Sequence, residues 1–252
     1  MVQRGLATSR SQAQRLLAAG ARWRAPGGWR VLTKADDLPP EAEVELLDAG
    51  EARYVSRGGL KLEGALAATG VAVAGRRCLD VGQSTGGFTD CLLQHGASSV
   101  IGVDVGHGQL HPRLRADARV RCLEGVNART LDASALIAVV TYPASGEGQF
   151  EPEFDLIVGD LSFISLTLVL PALVPMLARA GDLLLLVKPQ FELQPADIGK
   201  GGIVRDAALL ARVEQRLRTA CAAAALVVHG WLPSPIAGGD GNREFFIHAG
   251  LA

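Results

Sequence analysis

The stretch CLDVGQSTGGFTDCLL, residues 78–93, decides the fold: an apolar, strand-like run leads into Gly82, Gly86 and Gly87, then resumes with helical spacing. Two readings compete for this turn. Gly82-Gln83-Ser84-Thr85-Gly86 fits the G-x-S-x-G elbow that exposes a serine nucleophile, whereas the whole strand, glycine loop and helix fits a turn that cradles a nucleotide.

Working outward, the strand-like runs RCLDVG, SVIGVDVG, FDLIVGD, DLLLLVKP, ALVVHGWL and REFFIHAG alternate with helical segments, among them 86–95 and 207–225. This alternation predicts a doubly wound α/β sheet, and the uniformly apolar run Leu183 to Val187 suits a central parallel strand. In such sheets a ligand lies beyond the carboxyl ends of the strands, where residues 82–87 fall. Glycines there let the backbone approach a ligand closely, and Ser84 or Thr85 can cap the following helix. The spacing G-x-x-x-G-G is not that of a dinucleotide fingerprint. Twenty-two residues after Gly82, Asp104 closes VIGVDV at about the distance where an acid accepts ribose hydroxyls. The candidate cofactor residues are Asp80, Gly82, Ser84, Gly86, Gly87, Phe88, Asp104 and Asp160. A hydrolase would need an acid and then a histidine downstream, which Asp160 or Asp182 with His229 or His248 could supply, but its sheet places several strands before the elbow and only one precedes Ser84 here.

Four charged residues converge on the same edge. Lys61 stands at a helix start, where the dipole disfavours a cation. Lys188 ends the run LLLLV, Asp160 ends DLIVGD, and Glu244 begins EFFIH; if that last strand runs antiparallel, its start falls at the ligand edge too. Such a nearly neutral cluster suits a cationic sulfonium donor, and a lysine that orients a ribose hydroxyl and takes its proton is a sensible device. Separate surface salt bridges are the alternative.

With 252 residues, 48% of them hydrophobic, the chain has ample material for a core. Cysteines 78, 91, 122 and 221 form no C-x-x-C pair, which implies reduced thiols in the cytosol. No basic segment followed by an apolar run marks a secretory signal. Leu161 to Ala178 runs 18 residues without a charge, but Pro171 and Pro175 predict a turn and a packed helix rather than a membrane span. His107 and His111 are i, i+4, yet Gly108 and Pro112 make this a loop, and no metal is expected. Residues 141–154 read as a surface loop.

The net charge of −1 conceals a segregation: residues 1–34 carry a net of +7 and residues 35–51 a net of −7. The basic segment reads as a short helix, with Ser9 and Ser11 as capping candidates and Gly20 as its stop, then a hairpin turning at Pro26-Gly27-Gly28 between Trp23 and Trp29. Basic residues interleaved with aromatics suit phosphate contact and base stacking; a solvated hairpin with tryptophans in its core is the other reading. Arg10, Arg15, Arg22 and Arg24, with Lys200 and Arg205 in the loop GKGGIVRD, are the candidates for backbone phosphate contact.

The segments YVSRGGLKLEGAL, LDVGQSTGGFTDCLL, GVDVGHGQL, FDLIVGDLSFISL, LLLLVKPQFE, GKGGIVRD and GNREFF run in order across nearly the whole chain. Together they resemble the TlyA, or hemolysin A, family of ribosomal RNA 2′-O-ribose methyltransferases, related to the FtsJ-type enzymes. The resemblance implies a Rossmann-like S-adenosylmethionine-dependent methyltransferase sheet with a final antiparallel strand over residues 51–252, and a small N-terminal α+β RNA-binding module over 1–50. It also implies a Lys-Asp-Lys-Glu tetrad on Lys61, Asp160, Lys188 and Glu244, and ribosomal RNA, a cytidine within ribosomal subunits, as substrate. Family members carry several more apolar residues before the point matched by MVQRGL, so the module is expected to lack most of its first helix. A cytoplasmic enzyme with no membrane partner follows. A noncatalytic RNA-binding protein, a membrane-active hemolysin and a serine hydrolase are the alternatives.

Overall fold

A computed structural model describes residues 1–7, 10–47, 53–140, 152–199 and 201–252. The amino-terminal segment forms α1 (Arg10–Ala19), stopped at Gly20, and the strands β1 (Ala21–Ala25), β2 (Gly28–Val31) and β3 (Val44–Leu46), in the antiparallel order β2-β1-β3. The hairpin turns on Pro26 and Gly27 alone, because Gly28 already pairs with Ala25. The acidic stretch supplies β3, and Glu45 pairs with Arg22 at 2.7 Å. The opposed charges of the two segments thus meet across one small sheet.

The remainder runs α2 (Gly58–Thr69), β4 (Arg77–Val81), α3 (Gly87–Gln94), β5 (Ser99–Asp104), α4 (Pro112–Arg115), β6 (Val120–Glu124), α5 (Ala133–Val140), β7 (Phe154–Gly159), α6 (Leu170–Leu173), β8 (Leu177–Val187), α7 (Pro189–Glu192), α8 (Ala207–Ala223), β9 (Leu226–Pro233) and β10 (Phe245–Leu251). The strands form one sheet in the order β6-β5-β4-β7-β8-β10-β9, parallel from β6 through β8, with β10 antiparallel to both neighbours. The chain leaves β4 in one direction and returns to its other side at β7, so the topological switch lies at the carboxyl end of β4.

Alternate residues of the central strands feed two cores. Leu183, Leu185 and Val187 face Leu210, Val213 and Leu217 of α8, while Leu184 and Leu186 join Leu62 of α2 and Phe88 and Leu92 of α3. A strand buried on both faces needs an uninterrupted apolar run, and β8 has one. Pro171 and Pro175 break the uncharged stretch 161–178 into short helical turns, and no helix among the described residues is long and apolar enough to cross a membrane. The sequence reading missed β6: as an edge strand it exposes Arg121 while burying Val120 and Leu123, so its apolar signal is thin. Of the predicted 141–154 loop, residues 141–151 lie outside the described residues.

Candidate active site

The glycine turn sits at the switch point. The amides of Gly82 and Gln83 both donate to the carbonyl of Val103, which folds the turn back over β5. Gly82 has φ of +82°, and a Cβ there would stand 2.9 Å from the Asp160 carbonyl oxygen, so only glycine lets β4 and β7 open side by side. Ser84 also has a positive φ, +48°. Its amide donates to Asp104 Oδ2 at 2.8 Å, and Gly106 donates to Oδ1 at 2.7 Å. Each carboxylate oxygen keeps a lone pair free for a hydroxyl.

Two adjoining cavities open here. One, of about 500 Å³, runs from Gly82 and Asp104 past Val105 and Asn127 to Ile164. The other, of about 180 Å³, lies between Ser56, Gly87, Phe88, Asp160 and Lys188. They share Gly82, Ser84, Asp160 and Ser162. A polar carboxylate beneath an apolar-walled cavity suits a nucleoside, and the second cavity leads from it to charged groups. Among the sequence candidates, Gly82, Ser84, Gly87, Phe88, Asp104 and Asp160 line these cavities, whereas Asp80 and Gly86 lie behind them.

Asp80 is fully buried. Its Oδ2 accepts from Thr89 Oγ1 at 2.7 Å, and Gln83 Nε2 donates to the same hydroxyl at 2.9 Å, tying β4, the turn and α3 together. Burial pushes the Asp80 carboxyl up to about 7; the Thr89 hydrogen bond opposes this, and the charges of Asp160 and Asp104 add to it.

All four charged candidates meet at one edge. Because β10 is antiparallel to β8, with Phe245 opposite Val187, the residue before β10 comes beside the residue after β8, which brings Glu244 to Lys188. Lys61 Nζ lies 2.6 Å from Glu244 Oε2, with both side chains over nine-tenths buried, and Lys188 Nζ lies 2.5 Å from Asp160 Oδ1. Lys188 also donates to Ser162 Oγ at 2.8 Å. Burial raises the Glu244 carboxyl above its ordinary range; Lys61 and Lys188 oppose that shift and Asp160 adds to it, so the three groups act on one carboxylate. The cation at the first turn of α2 is thus balanced by a partner from another strand rather than left facing the helix dipole.

The elbow reading finds no support in these contacts. The Ser84 hydroxyl donates to Gln109 Oε1 at 3.1 Å, and β4 is the first strand of the large sheet. His248 pairs with Asp182 at 2.7 Å, and the β8–β10 register, with His248 opposite Leu184 and Asp182 opposite Gly250, sets both back from the strand end that carries Lys188.

The RNA candidates fare unevenly. Arg10, Arg24 and Arg205 are exposed. Arg22 is committed to Glu45 and, with Arg24, lies over the Trp29 ring at 4.7 and 5.8 Å. Trp29 is therefore a cation–π partner, an outcome between the two readings of the hairpin. Lys200 and Ser9 lie outside the described residues, and of Arg15 only the placement in α1 is described. Sequence reasoning missed Ser162, Asn127 and the buried pair Gln83 and Thr89; polar residues next to the Gly82 and Asp160 turns were the available signal. It also missed Glu192, buried after Lys188, which accepts from Ser165 Oγ at 2.5 Å and the Leu166 amide at 2.7 Å and so pins the chain leaving Asp160 to α7.

Residues 54–251 match the FtsJ-like methyltransferase family model. The chain is 45% identical over 98% of its length, and 86% of the relative's, to the 16S/23S rRNA (cytidine-2′-O)-methyltransferase TlyA of Mycobacterium tuberculosis. It is 37% identical over 97% of its length to Hemolysin A of Brachyspira hyodysenteriae, covering 95% of that protein. A Streptococcus thermophilus protein solved under the hemolysin name superposes with a TM-score of 0.73 at 37% identity, over 98% of this chain and 86% of that one. A Listeria monocytogenes structure named as an S-adenosylmethionine-dependent methyltransferase shares the fold, with a TM-score of 0.55 at 12% identity over 78% of this chain and all of that one. With its glycine turn, its sheet order and the paired lysines and carboxylates at the strand ends, the chain belongs to the FtsJ-like methyltransferase family.

Proposed function

We propose that this protein transfers a methyl group from S-adenosylmethionine to a ribose 2′-hydroxyl of ribosomal RNA. The observation that carries the reading is the Lys188–Asp160 pair lining the cavity under the glycine turn, with the buried Lys61–Glu244 pair beside it. S-adenosylmethionine, when bound, supplies an electrophilic methyl group on a cationic sulfur. Asp104 is suited to accept the ribose hydroxyls of the cofactor's nucleoside, and Gly82, Ser84, Gly87 and Phe88 to shape its walls. Asp80 and Gly86 act from behind, holding the turn. The carboxylates of Asp160 and Glu244 offset the two ammonium groups, so a cation can enter without net repulsion. Lys188 orients the RNA hydroxyl and, in its neutral amine form, takes its proton as the oxygen attacks and becomes the ammonium, while Lys61 and Glu244 hold the geometry.

The substrate is taken as a cytidine of ribosomal RNA within assembled subunits, by likeness to the printed activity of the Mycobacterium tuberculosis relative. Residues 1–50 serve as the RNA-binding module, with Arg10, Arg15, Arg22, Arg24, Lys200 and Arg205 against phosphates, residues 51–252 as the catalytic domain, and the cytoplasm as the place of action. Transfer of radiolabelled methyl from S-adenosylmethionine to isolated ribosomal subunits tests the reading. Label in the RNA of a subunit supports it; no label on subunits or free ribosomal RNA, from folded protein that binds the cofactor, refutes it.

A further inference from the structure

Beside the strand ends that carry Lys188 and Glu244, the chain makes a polar knot that the mechanism above does not use. Asn242, two residues before Glu244, is fully buried. Its Oδ1 accepts from the Val204 amide at 2.8 Å, and its Nδ2 donates to the Gly202 carbonyl at 2.9 Å and to Asp240 Oδ2 at 2.8 Å. Asp240 Oδ2 also accepts from Gln190 Nε2 at 3.0 Å, and Gln190 follows Lys188 by two residues. The Asn242 carbonyl accepts from Gly238, whose α-carbon lies so close to Glu244 that a Cβ would stand 2.7 Å from Oε1. Three segments therefore meet at one buried amide: the glycine-rich loop 201–204, the end of β8 with Lys188, and the approach to β10 with Glu244.

A carboxamide is the side chain this junction requires. It must accept from one backbone amide and donate to both a carbonyl and a carboxylate, and among neutral side chains of this size only asparagine presents an acceptor and two donor hydrogens on one planar group. Aspartate would lose the donors and set a second negative charge against Asp240; leucine would leave the Val204 amide and the Gly202 carbonyl unpaired in the interior, at the full desolvation cost of each.

We propose that Asn242 is a positioning residue: its amide, acting through Asp240 and Gln190, joins the glycine-rich loop to the two strand ends that carry Lys188 and Glu244, so that RNA held on the loop and the two ion pairs shift as one unit. The link to RNA rests on the function proposed above; the mechanical link does not.

Two measurements separate those claims. Amide hydrogen exchange on the protein alone, wild type against Asn242→Ala and Asn242→Asp, reads the knot. Faster exchange at Val204 together with Lys188, Gln190 and residues 240–244 is expected, and acceleration confined to Val204 overturns the proposal. Steady-state methylation of ribosomal RNA reads the coupling. A misplacement of about 1 Å costs about 100-fold in rate, so both variants are expected to lose about 10- to 100-fold in kcat, with cofactor affinity and the stoichiometry of cofactor binding unchanged. A merely structural role would instead lower the fraction of molecules that bind cofactor and leave kcat per binding-competent molecule at the wild-type value, which also overturns the proposal. If wild-type protein transfers no methyl, the functional reading fails while the exchange result still decides the knot.

Discussion

Replacing Lys61 with methionine removes one charge from a buried pair while keeping much of the side-chain volume. Lys61 and Glu244 are 7% and 4% exposed and 2.6 Å apart, so the variant leaves an uncompensated carboxylate in the interior. Breaking a buried pair in this way costs about 3–5 kcal/mol, and at about 2–4 °C per kcal/mol for a domain of this size the melting temperature should fall by about 6–20 °C at pH 8. The loss has a pH signature. Burial already holds the folded-state pKa of Glu244 above its ordinary 4.5, and without the opposing Lys61 charge it rises further. The folded state then binds a proton that the unfolded state releases, so stability falls as pH rises through that window and recovers as pH falls. Urea melts from pH 8 to pH 5 should show the deficit of Lys61→Met narrowing steadily, and Lys61→Met combined with Glu244→Gln should recover much of it. A deficit below about 1 kcal/mol, one that is flat across this range, or a double variant as unstable as the single would refute the reasoning.

Asp80→Asn keeps the shape of a carboxyl that is pushed up to about 7; since the wild type loses stability as pH rises from its unfolded value near 3.8 to about 7, the variant should flatten that slope in urea melts. Asp104→Ala removes the acceptor for the Ser84 and Gly106 amides, and calorimetry should show S-adenosylmethionine binding weakened about 10- to 100-fold, the loss of one charged hydrogen bond of about 1.5–3 kcal/mol, with kcat at saturating cofactor less affected. Arg24→Ala should reduce the slope of RNA affinity against salt by about one counterion, whereas Arg22→Ala, already paired with Glu45, should change it less.

The sequence made the central strands and the tetrad's edge legible because both rest on strong local signals: unbroken apolar runs for β7 and β8, and charged residues placed directly at their ends. Placing Glu244 needed one further step, the antiparallel direction of β10, which the Phe245–Val187 register bears out. The stretch after Asp104 was opaque because β6 buries only Val120 and Leu123 and exposes Arg121, so Asn127 beyond its end was missed with it. Asn242 and Glu192 could not be read at all: each takes its role from backbone groups 38 and 26 residues away, which no local pattern encodes. Asp80 was placed at the right turn, and the structure buries its carboxyl against Thr89 of α3, a contact that a strand's periodicity does not reveal.

The central claim is tested most directly by the chemistry of the methylated RNA. A 2′-O-methyl group removes the hydroxyl that alkali needs to cleave the neighbouring phosphodiester. Ribosomal RNA labelled by the wild-type protein and digested with alkali should therefore yield its radioactive methyl in an alkali-stable dinucleotide, with none transferred by Lys188→Ala that still binds S-adenosylmethionine. Label released entirely in mononucleotides would place the methyl on a base, and equal transfer by Lys188→Ala would remove that lysine from the reaction; either result would contradict the account.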